Sequence, residues 1–236
     1  AEKGNDIAQY KLAVIYEAAD KSKAASLFEK SAENGNLASM VFIADIYNKN
    51  KQYTEALKWY ERCSRAGLTH AKLVIGRMYA EGQGTSVDKK KAEVYFKEAS
   101  ECGSAEGMFE CAKLLVEDQQ PNFKKIMSLL FTSADGGCGE AMNMLGLMYR
   151  EGLGVIPDEL RAKVWFTRGS DRGCNQATLN LAKMNYEGLH QSSSSSKSGN
   201  KDRDIPAAIE LFNKASKKGS IVAKLYLAKI IKSGEG

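Results

Sequence analysis

Large apolar residues return to one helical face along this chain at near-constant intervals. Phe28, Tyr60, Phe96, Leu130, Phe166 and Phe212 each stand seven residues before a glycine: Gly35, Gly67, Gly103, Gly137, Gly173 and Gly219. Eleven before each glycine stands Ala24, Ala56, Ala92, Ile126, Ala162 or Ala208, and three before it Ala32, Ser64, Ser100, Ala134, Ser170 or Ser216. Offsets of four put small, large and small residues on one face of a helix, so that a neighbour can approach closely beside the aromatic. The glycine ends that helix, because left-handed backbone at the C′ position carries no Cβ penalty there.

A second helix begins after each glycine. Eight residues on, counting from Gly4 as well, the series reads Leu12, Ile43, Ile75, Cys111, Leu145, Leu181 and Leu227. The next residue is always small: Ala13, Ala44, Gly76, Ala112, Gly146, Ala182 or Ala228. Ala8, Leu12, Ala13 and Tyr16, like Ala71, Ile75, Gly76 and Tyr79 or Ala141, Leu145, Gly146 and Tyr149, again share one face. Between the two helices, Glu81-Gly-Gln-Gly84 and Glu151-Gly-Leu-Gly154 supply a tight turn, and Asp88 and Asp158 follow as caps for the next helix. The glycine steps of 31, 32, 36, 34, 36 and 46 residues mark a solenoid of helix hairpins. The expected fold is all-α. It forms one domain over 1–236, with units at roughly 5–35, 36–67, 68–103, 104–137, 138–173 and 174–219 and a partial unit at 220–236. The longest step holds a serine-rich stretch with no apolar residue to bury, expected as a disordered insertion at about 190–203.

Composition changes this picture little. The chain has 236 residues, 43% hydrophobic and 27% charged, with three prolines and a net charge of +5. That charge is far from the footprint of a dedicated nucleic-acid binder. No stretch is long and apolar enough to span a membrane. Five cysteines without a C-x-x-C pair, and no asparagine in a glycosylation sequon, favour a reducing compartment, the cytoplasm. Because the chain starts and stops in mid-repeat without polar caps, it is expected to be a fragment of a longer protein.

Candidate chemistry is thin. The two G-x-G elements follow helices and recur as repeat turns, so they are not phosphate cradles. His70 falls in an inter-repeat turn and His190 in the serine stretch, neither with a companion implied by spacing. No nucleophile and base are paired by spacing. The expectation is no catalytic residue, no cofactor and no metal.

The string Ala71-Lys-Leu-Val-Ile-Gly-Arg-Met-Tyr-Ala-Glu-Gly-Gln-Gly84, with Asp88-Lys-Lys-Lys-Ala92 and Tyr95-Phe96-Lys-Glu-Ala99-Ser100, resembles the Sel-1-like repeat, a relative of the tetratricopeptide repeat. The fifth unit matches through Trp165-Phe166. The fourth departs from it, with Glu117-Asp-Gln-Gln-Pro121 for the turn and Leu115 for the tyrosine, and the first two shorten the turn. The resemblance implies a right-handed superhelix and a non-enzymatic scaffold or adaptor, in the cytoplasm or in the ER lumen as part of a membrane-anchored quality-control complex. Cysteine-rich relatives to which a β-lactamase or penicillin-binding hydrolase activity is ascribed carry regularly paired cysteines. Cys63, Cys102, Cys111, Cys138 and Cys174 do not repeat as pairs.

By the same analogy the first helix of each hairpin lines the concave, partner-binding wall. On it Arg77, Lys113, Arg150, Lys183 and Lys229 recur about once per repeat, a basic stripe suited to an acidic segment of another protein. Leu73, Phe109 and Leu179 are the candidate apolar anchors, unless they are spent on packing between units. Nucleic-acid binding through the stripe is the weaker alternative, since aromatic platforms do not interleave with the cations. No small-molecule substrate and no membrane insertion of this segment are expected.

Overall fold

A computed structural model describes residues 5–17, 19–188 and 203–235. Among them are thirteen α-helices of 12 or 13 residues, each about 20 Å long. They are α1 (Asn5–Tyr16), α2 (Lys21–Glu33), α3 (Leu37–Lys49), α4 (Tyr53–Arg65), α5 (Thr69–Glu81), α6 (Lys89–Glu101), α7 (Ala105–Val116), α8 (Phe123–Asp135), α9 (Gly139–Glu151), α10 (Glu159–Asp171), α11 (Asn175–Glu187), α12 (Ile205–Lys217) and α13 (Ile221–Ser233). The chain divides into two compact units, Ala1–Gly107 and Met108–Gly236, with the boundary inside α7. Consecutive helices pack on one another from α1 to α6 in the first unit and from α8 to α13 in the second, where α11 also packs on α9. This is the all-α solenoid class of helix hairpins. Except for Arg203, the serine-rich stretch lies outside the described residues.

The local rules work as physical chemistry requires. Gly35, Gly67, Gly103, Gly137, Gly173 and Gly219 all take positive φ after their helices. The side chain of Asp88 accepts from Lys91 N–H at 3.0 Å, and that of Asp158 from Arg161 N–H at 2.8 Å, closing orphan donors at the starts of α6 and α10. Asp20, Asn122 and Asp204 cap α2, α8 and α12 in the same way. Asn122 thereby starts α8 although the fourth hairpin has lost the glycine turn.

The cores form around the hairpin aromatics. Phe28, Tyr60 and Phe96 in the first unit, and Leu130, Phe166 and Phe212 in the second, are at most 2% exposed. A methyl group at Gly76 would lie 2.5 Å from the Phe96 ring, and one at Gly146 2.5 Å from Phe166. The small residue of the first helix is therefore the seat of its own hairpin's aromatic. On α1 the same face is open among the described residues: Ala8 is exposed and Leu12 is 42% exposed. Their counterparts Ala71, Ile75, Ala141 and Leu145 are fully buried. Those lie between two hairpins, whereas among the described residues no helix precedes α1.

Candidate functional site

In the second unit the helices that open successive hairpins, α9, α11 and α13, bring cations and aromatic rings together. Arg150 stands in the last turn of α9, Lys183 late in α11, and Lys229 in the same register of α13. A groove of about 360 Å³ lies among Arg150, Lys183 and Tyr226, with Glu159 and Glu187 also lining it. The Lys183 ammonium sits 5.9 Å from the centre of the Tyr226 ring, and the Lys229 ammonium 5.3 Å from that of Tyr186. The two rings meet edge to face at 5.6 Å, and Tyr226 stacks on Phe212 at 4.8 Å. The aromatic faces hold the long lysine side chains against the wall and keep their charge at the surface.

Two further residues complete this wall. Arg203, at the return from the serine-rich stretch, donates from Nε to the Tyr186 carbonyl at 2.6 Å and lies 4.9 Å over the Tyr186 ring. Its two terminal nitrogens each donate to Glu235 at 2.9 Å, a forked pair that holds the Glu235 carboxyl below its ordinary range. Burial, then the nearby Glu187 charge, pushes the Tyr226 phenol up, so it stays a neutral donor.

The other sequence-predicted residues are placed as follows. Lys113 is exposed and pairs at 3.2 Å with Glu110, whose carboxylate is almost buried. Arg150 pairs with Glu151 at 2.9 Å. Arg77 is exposed on α5 in the first unit, and Phe109 is half-buried on α7. Leu73 and Leu179 are 4% and 5% exposed, and Leu179 packs in a core cluster with Tyr186, Ala208 and Phe212. Arg150 and Lys183 thus share one groove and Lys229 adjoins it through the paired tyrosines. Leu73 and Leu179 serve packing.

Among the described residues there is no cluster of three or more His, Cys, Asp or Glu suited to a metal. The cysteines are free thiols, and burial pushes those of Cys63, Cys138 and Cys174 up, away from the reactive thiolate. Among the described residues no helix is long and apolar enough to cross a membrane.

A family model described as Sel1 repeat matches residues 6–36, 47–68, 70–104, 139–174 and 175–220. The chain belongs to the Sel1 repeat family. It is 28% identical over 158 residues to the Sel1-repeat-containing protein YjcO of Escherichia coli, an alignment covering 64% of this chain and 69% of YjcO. Among solved structures it is similar to a Sel1 repeat protein from Oxalobacter formigenes, with a TM-score of 0.78 and 24% identity over 94% of this chain and 89% of that one. It is also similar to c5321, described as a protective antigen of uropathogenic E. coli with an SLR fold. There the TM-score is 0.76 at 26% identity, over all of this chain and 50% of that one. The matched Sel1 segments skip 105–138, the hairpin that lost its turn glycines, yet α7 and α8 form there.

Tyr186, Tyr226, Arg203 and Glu235 were not singled out by sequence reasoning. One signal was available: the sixth Sel1 unit has Asn185 at the repeat tyrosine's place and its tyrosine one residue later, in the register of Arg150.

Proposed function

We propose that this Sel1 protein is a non-enzymatic adaptor whose second unit binds an acidic segment of a partner protein on the wall formed by α9, α11 and α13. Sel1 and tetratricopeptide-like repeats generally mediate protein–protein interaction. The observation that carries the narrower reading is the run Lys183–Tyr226–Tyr186–Lys229, in which two cations stand over two abutting rings beside a groove of mixed charge. Carboxylates of a partner meet the cations, and its apolar side chains meet the rings, the combination that gives both encounter rate and anchoring. Free buried thiols support a reducing compartment, which we take to be the cytoplasm.

The test is fluorescence anisotropy with a short labelled peptide alternating aspartate and phenylalanine. Wild-type protein should bind it saturably and more weakly as salt rises, and Lys183→Glu with Lys229→Glu should weaken binding about tenfold or more at unchanged melting temperature. Undiminished binding by the folded double variant would overturn the reading.

A further inference from the structure

The first unit carries a second candidate surface, created by what its turns leave out. In the third and fifth hairpins the connection between the two helices folds back over the first turn of the preceding hairpin's second helix. A methyl group at Gly84 would stand 2.5 Å from the Tyr53 carbonyl carbon and 2.7 Å from the Thr54 nitrogen, at the start of α4. Gly154 lies as close to Phe123, the first residue of α8. The long connection is therefore a cover as well as a link.

The first two hairpins have no such covering connection of their own. Asp20 N–H bonds the Tyr16 carbonyl at 2.7 Å only four residues on, and Gln52 N–H bonds that of Tyr47 at 2.8 Å only five on. To close so soon, Lys51 takes φ +60°, a backbone that non-glycine residues rarely adopt. The second connection is thus too short to reach the start of α2. A cleft of about 530 Å³ opens there, between α2 and α3. Its floor is apolar: Ala24, Ala25, Phe28, Phe42 and Ile46, with the two phenylalanine rings 3.9 Å apart. Among the described residues its rim carries Glu17 and Asp45 against one cation, Lys49. The Tyr60 hydroxyl donates to Asp45 at 2.6 Å and holds that carboxylate at the rim.

We propose that this cleft docks a short apolar segment of another protein that carries a lysine or arginine beside its anchoring side chain. The volume falls within the range of pockets that enclose a ligand. An apolar side chain displaces water from Phe28, Phe42 and Ile46, and the rim carboxylates, outnumbering Lys49, select a basic neighbour over an acidic one. The first two hairpins thereby exchange a covering turn for a binding surface, chemically opposite to the basic wall of the second unit and independent of it.

The probe is a labelled peptide with a Leu-Phe centre flanked by lysines, compared with its glutamate-flanked counterpart, titrated into the full chain. The lysine peptide should bind saturably, and the glutamate peptide about tenfold more weakly or less. Glu17→Gln with Asp45→Asn keeps an acceptor for the Tyr60 hydroxyl and should erase most of that preference. Ala25→Trp should fill the cleft and abolish binding. Because the added bulk also threatens the fold, Lys49→Cys in a Cys102→Ser, Cys111→Ser background, labelled with a bulky maleimide, blocks the mouth from outside and should do the same at the melting temperature of the unlabelled protein. Lys183→Glu with Lys229→Glu should leave this peptide's binding intact, separating the cleft from the second-unit wall. Equal binding of the two peptides, no saturable binding, or binding that survives the blocked cleft in a folded protein would each overturn the proposal.

Discussion

The fifth and sixth hairpins sit side by side in one unit and solve the same problem with different connections. In the fifth, Asp158 N–H bonds the Tyr149 carbonyl at 2.8 Å, nine residues on. In the sixth, Asp204 N–H bonds the Asn185 carbonyl at the same 2.8 Å, nineteen residues on. Each aspartate then caps the second helix through its side chain. The closure is a property of these two anchor points, so doubling the span between them costs only about 0.6 kcal/mol of loop entropy. What the sixth hairpin gives up lies beside the bond. Tyr149 is buried under Arg161, whereas the sixth has Asn185 and Ala207 in those places, with the Asn185 Oδ1 buried and unpartnered. Hairpin closure and the tyrosine–cation lock are therefore separable devices.

The largest effect should come from what the two hairpins share. Phe166 and Phe212 are both fully buried at the centre of their hairpins. Replacing either by alanine should cost about 3–5 kcal/mol through lost burial and the cavity left behind. Urea unfolding of both variants checks this. Equal losses are expected, since neither ring's packing depends on the connection. A markedly smaller loss for Phe212→Ala would mean that the longer connection has loosened the sixth core.

The seats of those rings differ, and this sharpens the comparison. Gly146→Ala would place a methyl 2.5 Å from the Phe166 ring, and should cost about 1–3 kcal/mol by overpacking. Ala182 already carries a methyl in the corresponding position, fully buried. The reverse change, Ala182→Gly, should therefore destabilise by helix propensity and a small void rather than relieve strain. Thermal melts that show Gly146→Ala to be neutral would contradict the close seat.

These particulars mark what could be read from the chain and what could not. The glycine beat, the hairpin aromatics and the Asp88 and Asp158 caps are local rules, expressed within a helix or a turn, and the structure displays each. Leu73 and Leu179 show where such rules stop. Their helical register is compatible with either the wall or the core, and only the neighbouring helices decide that they are buried. Leu12 keeps the register of Ile75 and Leu145 but is open, since among the described residues no helix lies before α1 to cover it. The tyrosine wall was obscured because Tyr186 is shifted one residue past the repeat position. The Arg203–Glu235 fork spans 32 residues, which no periodicity announces.

The capping aspartates come next in size. Asp158→Ala and Asp204→Ala each remove a side-chain bond to a helix N-terminus, worth about 1 kcal/mol, and Asp158→Ala also removes an exposed pair with Arg161 worth about 0.3–0.5 kcal/mol. Both backbone closure bonds remain, so beyond that pair the two losses should be alike in chemical denaturation. A loss at Asp204 several times that at Asp158 would show that the long connection depends on its cap, and would dissolve the view that two anchor points suffice.

The smallest expected effect is the most specific. Arg161 lies 5.7 Å from the centre of the Tyr149 ring and also pairs with Asp158 at 3.2 Å, so a single Arg161→Ala mixes two losses. A double-mutant cycle with Tyr149→Leu isolates the ring contact, because the Asp158 term is common to both Arg161 substitutions and cancels. The coupling should be about 0.5–1 kcal/mol, the range for a cation over a ring at a partly exposed site. The sixth hairpin supplies the control: Asn185 and Ala207 have neither ring nor cation, so a cycle there should give no coupling. Installing the pair by Asn185→Tyr with Ala207→Arg should create coupling of the same sign and relieve the buried amide oxygen. If the fifth hairpin's cycle closes to zero, the tyrosine is retained only for its bulk, and the difference between the two hairpins reduces to packing.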